Sequence, residues 1–90
     1  MPNEINVRKI ILNRLHEKLA RLGIGDEEIN DHFDLVKSGL LSSLEFVDLV
    51  ASIEKSLNLE IDYERALESD DFTTISGIRK TFQKHLDEKA

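Results

Sequence analysis

Gly39-Leu40-Leu41-Ser42-Ser43-Leu44-Glu45-Phe46-Val47 is where a loop turns into an amphipathic helix, and it organises the chain around it. Gly39 supplies a backbone turn that a side chain would obstruct. Ser42-Ser43-Leu44-Glu45 has the S-x-x-E form of a capping box, with Ser42 as N-cap and Glu45 reaching back from the third helical position. Ser43 then falls on the first helical residue, exposed at the helix start. Over residues 43–57, Phe46, Val50, Ile53 and Leu57 form one apolar stripe with Leu49 beside it. Leu44, Val47 and Ala51 recur at helical spacing on a neighbouring face. This second stripe has two readings, a wide buried face or a solvent-facing surface used for docking.

Working outward, the pattern before the stretch is helical from residue 3 or 4 to residue 22. Val7, Ile11, Leu15, Leu19 and Leu22 make its stripe, Ile10 and Leu12 widen it, and Gly23 and Gly25 stop it. Residues 26–41 read as a long connection with a short helical turn at 26–32, anchored by Ile29, Phe33, Leu35 and Val36. Loops of this length inside small domains are usually structured by their own side chains or functional. After Asn58, residues 59–62 alternate like a strand, yet with no partner strand they predict an extended linker with Leu59 and Ile61 inward. Asp62 caps a short helix over residues 63–67, in which Ala66 and Leu67 are apolar contacts. Phe72 anchors a second linker. A last helix runs over residues 74–86, with Ile75, Ile78, Phe82 and either Leu86 or His85 facing in. The expectation is one all-α domain spanning residues 1–90, three long helices and a short third one with a long first loop.

Composition narrows the function. The chain has no cysteine, which removes disulfides, thiolate catalysis and Cys-based metal sites together. No apolar run approaches a membrane span, and no signal-peptide core is evident, so a cytoplasmic protein is expected. The net charge of −6 is unevenly placed. Residues 1–22 carry +3 and residues 72–90 carry +2, whereas the three segments between them carry −4, −2 and −5. An acidic middle argues against nucleic acid, which needs clustered Lys and Arg. It suits a protein partner with a basic docking patch, although such acids also simply keep a small domain soluble. His16, His32 and His85 share no metal-ligand or triad spacing, and the pairs Asp31/Asp34 and Asp70/Asp71 offer at most a weak divalent-cation site, since such pairs are commonly just solvated. With no convergent base, nucleophile or metal set, the chain reads as no enzyme.

Asp34-Leu35, then Ser38-Gly39-Leu40-Leu41-Ser42-Ser43-Leu44 and an acidic amphipathic helix, resemble the acyl carrier protein family of acyl, aminoacyl and peptidyl carriers. The family's attachment motif is usually Gly-hydrophobic-Asp-Ser-Leu, or Gly-Leu-Leu-Asp-Ser in some discrete carriers. The likeness continues through residues 47–54, Leu59-Glu60-Ile61 and Phe72-Thr73-Thr74-Ile75, covering roughly residues 30–86. It implies a four-helix bundle of acyl-carrier type with a short third helix. It also implies a discrete, monomeric carrier without catalysis of its own, holding an acyl group as a thioester on a 4′-phosphopantetheine arm. The arm would be attached to Ser43, delivered from coenzyme A by a phosphopantetheinyl transferase. Further partners would be an acyl-loading ligase or acyltransferase and downstream synthase or transferase enzymes with basic docking patches, in fatty acid, polyketide or related biosynthesis. By position, Leu44, Val47 and Ala51 match the family's apolar docking patch, and Glu45, Asp48 and Glu54 its acidic frame. Some members carry a larger residue such as Met at the position of Ala51, so contact area is reduced here.

One departure is plain: Ser42 stands where the family usually has Asp. Both residue types offer an oxygen acceptor to first-turn amides, so Ser42 takes the cap and Ser43 remains for attachment. A phosphodiester on Ser43 would sit at the positive end of the helix dipole, worth about 0.3–1 kcal/mol. The same arm serves fatty acyl, malonyl, polyketide and amino-acid cargo. Both termini end near predicted helices, so a stand-alone carrier is expected. The rival class is a helical interaction module in which both serines are only caps.

Overall fold

Asn6 opens the first helix: its Oδ1 accepts the Lys9 N–H at 3.0 Å, and α1 (Val7–Leu22) follows. The computed structural model describes residues 6–89. The helix start expected at residue 3 or 4 lies outside those residues. Asn6 itself is extended, with φ −99° and ψ 93°, so the described helix begins at Val7. Val7, Ile11, Leu15 and Leu19 are buried, one side chain per turn. Leu22, expected to finish the stripe, is instead 56% exposed. Gly23 is the cause: at φ 73° it turns the chain left-handed, its N–H bonding the Ala20 carbonyl and the Ile24 N–H that of Leu19. In this Schellman arrangement Ile24 takes the inward place that Leu22 loses.

Among the described residues three further helices, α2 (Ser43–Leu57), α3 (Tyr63–Ala66) and α4 (Ile75–Lys89), complete an all-helical fold in which α1 packs against both α2 and α4. Among the described residues there is no strand, only an isolated bridge between Asp34 and Thr74. Helix α2 ends at Asn58, whose φ of 53° swings Leu59 into the core, and residues 59–62 form the extended linker expected. Helix α3 is one turn, capped by Asp62 through the Arg65 N–H at 3.1 Å. Its inward contacts are Tyr63 and Ala66; Leu67, expected inside, lies past the end of that turn and is 48% exposed. Thr74 is outside α4 and accepts the Gly77 N–H at 2.9 Å, so α4 starts one residue later than expected. It runs on to Lys89 because residues 87–89 contain no Gly or Pro to stop it. Ile75, Ile78 and Phe82 are buried, and both His85 and Leu86 are half-buried.

Aromatic packing holds α3 against α2. Phe72 meets Phe46 edge-on at 5.4 Å and Tyr63 at 5.8 Å between ring centres. Each such pair adds about 0.5–1.5 kcal/mol beyond area burial.

The long first loop is stitched to the start of α4. Its 3-10 turn covers only Asp26–Glu28, shorter than the 26–32 expected. Ile29 and Leu35 are fully buried, with Phe33 and Val36 half-buried beside them. Asp34 Oδ1 accepts the N–H groups of Val36 and Lys37 at 3.0 and 2.7 Å, while Thr73 donates its hydroxyl to Oδ2 at 2.7 Å. The Leu35 N–H bonds the Thr73 carbonyl, and the N–H groups of Ile75 and Ser76 bond the carbonyls of Phe33 and Asp31. Asp31 also joins Arg8 at 3.4 Å and Arg79 at 3.1 Å, tying α1 and α4 to the loop. Gly39, at φ 86°, makes the last bend, after which Leu40 and Leu41 plug into the core and deliver the chain to α2.

Candidate functional site

The N-terminus of α2 is built as its sequence predicts. Glu45 N–H donates to Ser42 Oγ at 3.1 Å and Ser42 N–H donates to Glu45 Oε1 at 2.8 Å, closing a capping box. The Ser42 side-chain oxygen is thereby engaged as the cap acceptor. Ser43, the first residue of α2, is exposed, and neither its hydroxyl nor its N–H has a partner among the described residues; the same holds for the Leu44 N–H. The two adjacent serines therefore differ: one side chain accepts the cap hydrogen bond and the other makes none among the described residues.

Beside Ser43 lies an apolar face. Leu44 is 73% and Val47 40% exposed, and Ala51 is exposed below them. The inward stripe of α2 is Phe46, Leu49, Val50 and Ile53, with Leu57 half-buried. Leu44, Val47 and Ala51 therefore face solvent and are not part of a wide buried face.

The acidic residues around that face are not equivalent. Glu45 lies against Lys18 of α1, with Nζ at 3.1 and 3.0 Å from its two oxygens. The Ser42 N–H and then the Lys18 ammonium hold the Glu45 carboxyl below its ordinary range, so it is ionised at neutral pH. Glu54 is half-buried and turned toward the linker, where Oε2 accepts the Ile61 N–H at 2.9 Å. Asp48 is exposed and has no ion pair or side-chain hydrogen bond among the described residues. A groove of about 250 Å³ between α1 and α2 has Arg14 and Lys18 on one wall and Glu45 and Asp48 on the other. The larger concavity, about 660 Å³ along α4, contains none of the predicted site residues.

The chain's own patterning placed Ser42, Ser43, Leu44, Glu45, Val47 and Ala51 along the first half of α2, and the resemblance added Asp48. It missed Lys18 and the inward use of Glu54, because both contacts join segments apart in the chain. The only signal was the opposite charge of the segments that form α1 and α2. Among the described residues no group of three or more His, Asp or Glu side chains is placed to hold a metal ion. None of their helices is long and apolar enough to cross a membrane. Comparison of the chain with protein families, curated proteins and solved structures finds no significant match.

Proposed function

We propose that this protein is a carrier of the acyl-carrier type, holding an acyl group as a thioester on a 4′-phosphopantetheine arm attached to Ser43. The observation that carries the reading is the division of labour at α2: the Ser42 oxygen accepts the Glu45 N–H in the cap, while the Ser43 hydroxyl, on the first helical residue, makes no hydrogen bond among the described residues. The residues present fit a phosphodiester there. The open N–H groups of Ser43 and Leu44 are the donors that first-turn amides offer an anion, and the positive end of the α2 dipole adds about 0.3–1 kcal/mol. The arm, when bound, supplies a thiol that activates a carboxylic acid for acyl transfer.

The chain's own contribution is presentation. Leu44, Val47 and Ala51 offer an apolar surface beside the attachment point, so an enzyme that reads them holds the arm close to its active site. Tethering converts each encounter with a partner into a reaction at high effective concentration. The four-helix, loop-stitched architecture keeps that surface in place, since α2 is fixed by the core on its other face. Incubation with coenzyme A and a phosphopantetheinyl transferase, followed by intact-mass measurement, is expected to show one added phosphopantetheine per chain. A mass that stays unchanged, with a control carrier modified in the same tube, favours the rival interaction module.

A further inference from the structure

We infer that the partner enzymes of this carrier are recognised through Asp48 alone among the three acids of the α2 face, and that Lys18 sets this selectivity by masking Glu45. The inference rests on the carrier reading and names the partner chemistry of the same site. A matching partner presents one cationic side chain opposite Asp48 and an apolar recess for Leu44 and Val47. It presents no second cation toward the Lys18–Glu45 pair.

The three carboxylates differ in what each already holds. Both oxygens of Glu45 lie 3.0–3.1 Å from Lys18 Nζ, and one of them also accepts the Ser42 N–H. A lysine or arginine of a partner approaching Glu45 therefore meets the Lys18 charge at close range, and like charges brought together oppose binding. Glu54 spends Oε2 on the Ile61 N–H and is half-buried. Asp48 alone is exposed with no ion pair among the described residues. On α1, one turn before Lys18, Arg14 is exposed and lines the same groove, opposite the wall that Glu45 and Asp48 share. Of the two acids on that wall Glu45 is already ion-paired with Lys18, so Asp48 carries the uncompensated negative charge of the face.

The test measures KM and kcat for Ser43 modification, with coenzyme A and a broad-specificity phosphopantetheinyl transferase as the probe, at low and moderate ionic strength. Asp48→Asn is expected to raise KM about threefold and Lys18→Met to lower it about threefold, the size of one exposed charge contact, with kcat held. Deleting the pair together, in Lys18→Met/Glu45→Gln, is expected to keep KM within about 1.5-fold of wild type, since a mutually neutralised pair offers a partner no net charge. Both shifts are expected to shrink as salt rises. Lys18→Gln is expected to repeat the Lys18→Met result, and circular dichroism on each variant to show unchanged helicity. A double variant as impaired as Asp48→Asn, or a Lys18→Met protein with no gain, overturns the inference while leaving the carrier reading standing. A wild-type chain that is never modified removes the carrier reading, and this inference with it.

Discussion

Glu54 Oε2 accepts the Ile61 N–H at 2.9 Å, so a side chain of α2 holds the linker that leads into α3. Glu54→Ala removes that acceptor and leaves a half-buried amide to be satisfied by water. A hydrogen bond to a charged group is worth about 1.5–3 kcal/mol, and partial exposure lowers the expected loss here to about 1 kcal/mol. Urea denaturation is expected to show that loss for Glu54→Ala and a smaller one for Glu54→Gln, which keeps an acceptor oxygen.

Asp34 carries a pH signature. Burial pushes its carboxyl upward, but the Lys37 N–H, the Thr73 hydroxyl and the Val36 N–H outweigh it and leave the group below its ordinary 3.8. A group depressed in the folded state stabilises the protein above its unfolded pKa and loses that contribution as pH falls through the folded one. Stability attributable to Asp34 is therefore full at neutral pH and disappears as pH drops below about 3.8. Denaturation curves across acid pH are expected to show a shallower decline for Asp34→Asn than for wild type, alongside lower stability at pH 7.

Gly77 sits where α4 crosses the preceding turn. A Cβ built there lands on the Asp71 carbonyl oxygen and 2.8 Å from Phe72 Cα, both backbone atoms with little room to give. Overpacking of this kind typically costs about 1–3 kcal/mol, and more when the backbone must move. Gly77→Ala is expected to lose at least about 2 kcal/mol of stability by the same denaturation assay, despite alanine's higher helix propensity.

Ser42→Ala separates the cap from the attachment. It removes the acceptor for the Glu45 N–H and is expected to cost about 1 kcal/mol, read as a lower denaturation midpoint. Ser43→Ala, which touches no hydrogen bond among the described residues, is expected to unfold like wild type.

What the sequence disclosed follows the range of the interactions. The Ser42–Glu45 box, the Gly39 bend and the α2 stripes are set within a few residues, and each was readable from spacing alone. The exposure of Leu44 and Val47 was not, because periodicity assigns a face without saying whether another helix covers it. Leu22 was misplaced because the Schellman turn at Gly23, not the stripe, decides what the last turn buries. Asp34 could be noticed as an acid, but its role depends on Thr73, distant in the chain. The same distance hid Lys18 against Glu45, which changes what the site offers a partner.

The most direct test of the carrier account is the mass of three proteins after incubation with coenzyme A and a phosphopantetheinyl transferase: wild type, Ser42→Ala and Ser43→Ala. The account predicts one added phosphopantetheine on wild type and on Ser42→Ala and none on Ser43→Ala. Modification that persists in Ser43→Ala, or is absent from all three, contradicts it.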